Sequence, residues 1–155
     1  MTTPISQLLA EHPIFADLGE EMVTTVVGCS RLVAFAEGAL LVREGEPANT
    51  FYLVRRGRVS IEVHEARRGP LVIETVGPGS LVGWSWLVPP YRWTFDARAL
   101  EPVGAIAVDG ACLRAKAAAD PVLGFALLGR VSQELLARLQ ATRVRLLDLY
   151  ASPHE

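Results

Sequence analysis

Gly77 to Ala99 reads GPGSLVGWSWLVPPYRWTFDARA, and it holds the residues of this chain best suited to binding chemistry. A sharp turn at Gly83 frees backbone N–H groups at the head of a short helical turn, Trp84–Leu87. Free donors at a helix start are a seat for an anion. Arg92, past Pro89 and Pro90, supplies a forked cation that could close over the same spot. Ser85 and Thr94 add hydroxyls, and Ile73 on the preceding strand adds an apolar wall. The same pattern also fits a strand-to-strand crossover whose tryptophans fill a core, and the local residues leave both readings open.

Other chemistries find little support. His12, His64 and His154 are scattered, so neither a metal-binding roll nor a nucleophile–base pair is expected, and no catalytic or metal-ligating residue is assigned. Cys29 and Cys112 are too few and too isolated for a disulfide framework or a zinc site and read as buried apolar fillers. A formal charge of −2 and a pI near 5.9 lack the basic footprint of a nucleic-acid binder. Half of the 155 residues are apolar and mean hydropathy is +0.28, yet no run of about 18 apolar residues marks a membrane span. With no leader-like opening, the expected location is cytoplasmic.

The elements that must position Gly83 and Arg92 are legible from periodicity. Residues 1–28 predict two helices: Pro4 to Glu11, then one begun by Asp17-Leu-Gly-Glu20 as a capping box, with Met22, Val23, Val26 and Val27 inward. Residues 31–108 predict a roll of short strands with glycine corners. In Arg58 to Glu65, Val59, Ile61 and Val63 should point inward and Ser60, Glu62 and His64 outward. About eight strands at regular spacing give a mainly β fold, an eight-stranded antiparallel jelly roll with flanking helices. Residues 109–150 return to helical period, with Asp109 and Asp120-Pro121 as helix starts and kinks allowed at Gly124 and Gly129. Residues 151–155 form a tail. The last helix carries Leu128, Ser132, Leu135, Leu139, Thr142, Leu146 and Leu149 in steps of four and three. These fit a helix laid on its own sheet or, with Ser132 and Thr142 as polar register-setters, the favoured heptad seam for a second copy, with Glu134, Arg138, Arg143 and Arg145 as a solvated flank.

Helices, a glycine-cornered roll and a long seam helix together resemble the cyclic nucleotide-binding domain, and most closely the sensor half of the catabolite activator protein family. Gly45, Gly57 and Gly83 fall at that family's spacing, within Glu44-Gly45, Arg56-Gly57-Arg58-Val59 and Leu81-Val82-Gly83. The resemblance implies a phosphate-binding cassette after Gly83, opened by Gly-Glu for the ribose and closed by an Arg on the cyclic phosphate. Here Trp84 stands at the Glu position, and an indole donates but cannot accept. Counting back from Ala99, the family Arg falls on Trp93, with Arg92 one residue early; Arg98 is a weaker substitute, and Asp96 adds unwanted negative charge. Arg138-Leu-Gln-Ala-Thr142 resembles the segment whose threonine reaches the purine, which makes Thr142 a candidate base contact.

Two functions follow. One is a dimeric, non-enzymatic sensor of cyclic AMP or cyclic GMP, with Gly83, Trp84, Ser85, Arg92, Trp93, Thr94, Ile73 and Thr142 at the ligand and no bound cofactor. The other is the same fold without nucleotide, an adaptor for an unnamed protein partner, with Trp84, Trp86, Tyr91 and Trp93 plugging the pocket or facing out. Neither involves nucleic acid or membrane.

Overall fold

Short alternating strands can bury one face only by stacking two sheets, and this chain does so. The computed structural model describes residues 3–151. The element order is α1 (Ile5–Glu11), α2 (Glu20–Val27), β1 (Ser30–Phe35), β2 (Leu40–Val42), β3 (Thr50–Arg56), β4 (Val59–Glu65), β5 (Gly69–Val76), β6 (Leu81–Val82), β7 (Asp96–Ala99), β8 (Val103–Asp109), α3 (Gly110–Ala119) and α4 (Pro121–Ala151). The strands form two four-stranded sheets in the orders β1-β8-β3-β6 and β2-β7-β4-β5, with neighbouring strands antiparallel. This is the expected jelly roll with flanking helices. Its core runs from Phe51, Leu53 and Val54 through Ala105 to Val108 and out to Leu113, Leu123, Leu127 and Val131 on the helices.

Several local expectations change. The capping box at Asp17 does not form, because Asp17 itself has φ 65° and turns the chain so that Leu18 enters the core; Gly19, at φ 98°, caps α2 instead. Ser60 and Glu62 are buried rather than wet, since Arg98 from the neighbouring β7 lies across them, 3.4 Å from the Glu62 carboxylate. Arg98 also donates to the Gly38 carbonyl at 3.0 Å. The residues after Gly83 make one hydrogen-bonded turn, Leu87 N–H to Trp84 O, and no helix. Ala151 belongs to α4; the rest of the expected tail, and His154, lie outside the described residues.

The cysteines are the largest correction. Cys29 and Cys112 are joined in a disulfide, with Cα atoms 5.8 Å apart across 83 residues of sequence. The roll itself brings them together. β8 returns antiparallel beside β1 with Ser30 opposite Val108, so the residues just outside that pair meet. Asp109 then caps α3, accepting from the Cys112 N–H at 3.0 Å, and presents Cys112 toward Cys29.

α4 starts as predicted, with the Asp120 carboxylate accepting from Leu123 N–H at 3.3 Å. It runs unbroken through Gly124 and Gly129. Gly124 is needed for closeness: a Cβ there would sit 3.1 Å from the Ala117 carbonyl oxygen of α3. No helix among the described residues is long and apolar enough to cross a membrane.

Candidate functional site

Gly83 follows β6 at φ 79°, a left-handed conformation that glycine adopts freely. Gly45 and Gly57 also take positive φ, at 86° and 87°. At Gly83 there is a second reason for glycine. A Cβ there would overlap Cζ3 of Trp93 and lie 2.9 Å from its Cη2 and 3.2 Å from Cζ of Phe95. Trp93 is 4% exposed, so its indole is lodged against the bare backbone of the turn where the sequence predicts an anion seat.

Arg92 points elsewhere. Its Nη1 donates to the Gly45 carbonyl at 2.9 Å, on the exposed side, and its backbone bridges to Pro47. The physical cause is strand parity: adjacent residues in an extended segment face opposite ways, so with Trp93 turned in, Arg92 is turned out. Trp93 N–H donates to Glu46 O at 3.0 Å and Gly45 N–H to Trp93 O at 2.8 Å, which fixes this register. Thr94 is exposed and Ser85 half-buried. Asp96 pairs with Glu62, on the side of β7 away from Ala97, and its carboxylate accepts from Glu44 N–H at 2.8 Å.

The remaining candidates gather at a different place. Trp84 and Thr142 line an open groove of about 230 Å³ between the roll and α4, together with Glu74, Leu135, Arg138 and Leu139. Ile73 lies in an adjoining groove with Thr142, Arg145, Leu146 and Leu149. The hydroxyl of Thr142 donates to Arg138 O within its own helix at 2.9 Å. The predicted site is therefore split. Gly83 and Trp93 form a filled interior contact, Arg92 braces the Glu46–Pro47 loop, and Trp84, Thr142 and Ile73 face the open side of α4.

Arg138 is the residue the sequence reading missed. It is not part of a solvated flank: its side chain is 11% exposed and lies 3.3 Å from the Glu74 carboxylate and 3.1 Å from that of Glu134. It also donates to the Leu81 carbonyl and sits 5.2 Å above the Trp84 ring. One cation thus ties α4 to β5, β6 and the turn after Gly83, with Trp84 as its aromatic floor. Its spacing from Leu127 and Val131, both on the buried face of α4, is the signal that could have exposed it. Arg114 on α3 does similar work, donating to Trp86 O with its guanidinium 4.0 Å from the Tyr91 ring centroid. Trp86 is core, 2% exposed and stacked on Phe51 at 4.2 Å.

His12 is buried where α1 turns toward α2, accepting from Ile14 N–H at 3.3 Å and donating to Val54 O at 3.2 Å. Burial pushes its pKa below the usual imidazole value, against a smaller upward pull from the Val54 carbonyl. It fastens the helices to β3 and has no place in the candidate site. Among the described residues no group of three or more His, Cys, Asp or Glu is placed to hold a metal ion.

The family model of the cyclic nucleotide-binding domain matches residues 32–120. This chain belongs to the cyclic nucleotide-binding domain family. A CRP-like cAMP-activated global transcriptional regulator of Mycobacterium tuberculosis is 27% identical over 149 residues, which is 94% of this chain and 63% of that protein. The chain thus spans less than two thirds of that relative's length. The N-terminal domain of a transcriptional regulator from Streptomyces coelicolor A3(2) matches with TM-score 0.68 and 28% identity, over 86% of this chain and 94% of that one. A cyclic nucleotide-binding domain from Methylobacillus flagellatus KT superposes with TM-score 0.82 over 97% of this chain and 86% of that one; at 22% identity it speaks for the fold alone. As a cyclic nucleotide-binding domain, residues 32–120 are a regulatory module of the ligand-sensing type, with no catalytic role.

Proposed function

We propose that this cyclic nucleotide-binding-type domain acts as a homodimeric regulatory adaptor whose nucleotide seat is filled from within. The observation that carries this reading is the Trp93 indole against Gly83, where a cyclic phosphate would need open backbone donors. Two further features support it. Arg92 is engaged with the Gly45 carbonyl, and the family's ribose-binding carboxylate is replaced by Trp84, held under Arg138. Losing a charge-assisted hydrogen bond costs about 1.5–3 kcal/mol, so an absent carboxylate alone would weaken binding only about ten- to a hundredfold. The obstruction by Trp93 is the larger effect, because the ring must leave its packed site before any phosphate enters.

Dimerisation is supported by α4 beyond Val131, where Leu135, Leu139, Leu146 and Leu149 are 36%, 47%, 52% and 72% exposed, with Leu128 at 54% before them. An apolar stripe of this length on one helix is the mark of an interaction face. Thr142 falls within it as a polar register position.

The sensor reading keeps one observation in its favour: the groove at Trp84, Arg138 and Thr142 has room and an aromatic wall for a base. Titration calorimetry with cyclic AMP and cyclic GMP separates the two. The adaptor reading expects no saturable heat at millimolar ligand. Saturable binding of either nucleotide with Kd below about 10 μM, equivalent to roughly 7 kcal/mol, would overturn it.

A further inference from the structure

The cysteine pair has no part in the nucleotide question and sits at a junction. Cys29 lies between the Gly28 cap of α2 and the first residue of β1, and its carbonyl accepts from Asp109 N–H at 2.8 Å. Cys112 is in the first turn of α3, directly after β8. All eight strands, Ser30 to Asp109, therefore lie inside the loop that the disulfide closes. The two residues differ in exposure: Cys29 is 7% exposed, whereas Cys112 is half-buried at the rim.

α3 also holds the turn after Gly83. Arg114, on the same helix as Cys112, donates to Trp86 O and covers the Tyr91 ring. Gly110 lies so close to Trp86 that a Cβ would sit 2.7 Å from the Trp86 Cβ. Leu113 is fully buried beneath them. What fixes the first turn of α3 thus also fixes Trp86 and Tyr91.

We propose that Cys29 and Cys112 are a reversible thiol–disulfide modification site that sets how firmly α3, and with it the 84–91 turn, is seated on the roll. The reductant is a dithiol. Its thiolate attacks Sγ of Cys112, the more exposed residue of the pair, and the electrons of the broken S–S bond leave with Cys29, which takes up a proton. The second thiol of the reductant then displaces Cys112, which is protonated in turn, and the reductant departs as its own disulfide. Two electrons and two protons pass to the chain. Reduction leaves α3 held by Leu113, the Asp109 cap and the Gly110 N–H to Asn49 O bond, so the roll persists while the junction loosens.

The test uses the unmodified chain in buffers of graded reduced and oxidised dithiothreitol. Alkylated thiols are counted by intact mass, and amide exchange is followed in the two end states. The expected result is a single transition between none and two alkylated thiols. Reduction should bring at least a tenfold loss of protection over residues 110–119 and 84–91, with β4 and β5 unchanged. Cys112→Ser, with one thiol, should show the amide exchange of the reduced protein in every buffer. If that variant does not fold, the comparison of the two states of the unmodified chain decides. Two free thiols at every ratio, none at every ratio, or a transition that leaves exchange in α3 unaltered would each overturn the proposal.

Discussion

Adding a methyl group at Gly83 tests directly whether Trp93 occupies the nucleotide seat in solution. In Gly83→Ala the new Cβ meets two penalties. The φ of 79° puts an L-residue in the left-handed region, which costs about 1–2 kcal/mol. The overlap with the Trp93 ring forces the indole or the turn to move, and overpacking of this kind costs about 1–3 kcal/mol more. Trp93→Leu withdraws the ring atoms that collide, at its own cost of about 1–3 kcal/mol from lost burial. In that background Gly83→Ala should pay only the backbone penalty. The two substitutions therefore couple, the double variant being more stable than the sum predicts by about 1–3 kcal/mol. Equilibrium urea unfolding of the four proteins measures this, with midpoints compared at constant slope. If the effects add to within about 0.5 kcal/mol, the indole is not against Gly83 and the filled-seat reading fails.

Other outcomes follow from the same geometry. Leu139→Asp should convert a dimer to a folded monomer in light scattering, because Leu139 is 47% exposed and makes no core; an unchanged dimer would refute the seam. Arg138→Ala should cost about 1.5–3 kcal/mol in urea unfolding, since it strands two largely buried carboxylates and a carbonyl, and an effect near zero would refute the tie between α4 and the roll. His12 has its pKa lowered in the folded protein, so the unfolded chain takes up the proton first as pH drops. Its contribution to stability is present above about pH 6.5 and is lost as pH falls below that value, and the urea midpoint should decline accordingly. His12→Asn should flatten that part of the profile, and an unaltered decline would assign it to other groups.

The roll was legible because its signals are local. Glycine corners and the Asp109 and Asp120-Pro121 starts each fix a few neighbouring residues and reappear in the structure; the strands also form where period two placed them, although β4 does not keep its wet face. What the sequence hid depends on distant pairing. Cys29 and Cys112 look isolated across 83 residues until β1 and β8 are placed side by side. Ser60 and Glu62 look solvent-facing until Arg98 arrives from another strand. Arg138 looks like surface charge until α4 is laid against Glu74 and Trp84. At the candidate site the residue types were identified but their directions were not. A one-residue difference between Arg92 and Trp93 decides which of them enters the fold, and that choice is fixed by hydrogen bonds to the Gly45–Glu46 segment, far away in sequence.

α4 parts from the core after Val131 but continues as one helix to Ala151, about 30 Å further on at 1.5 Å per residue. A rigid rod whose buried side chains all lie near its base is a lever. Tilting it by about 10° at that pivot would carry its far tip about 5 Å, roughly half a helix diameter. Arg138, part of the way along, is the strut that sets the angle. A small adjustment at Trp84 or Glu74 would thus arrive magnified at whatever grips the distal end.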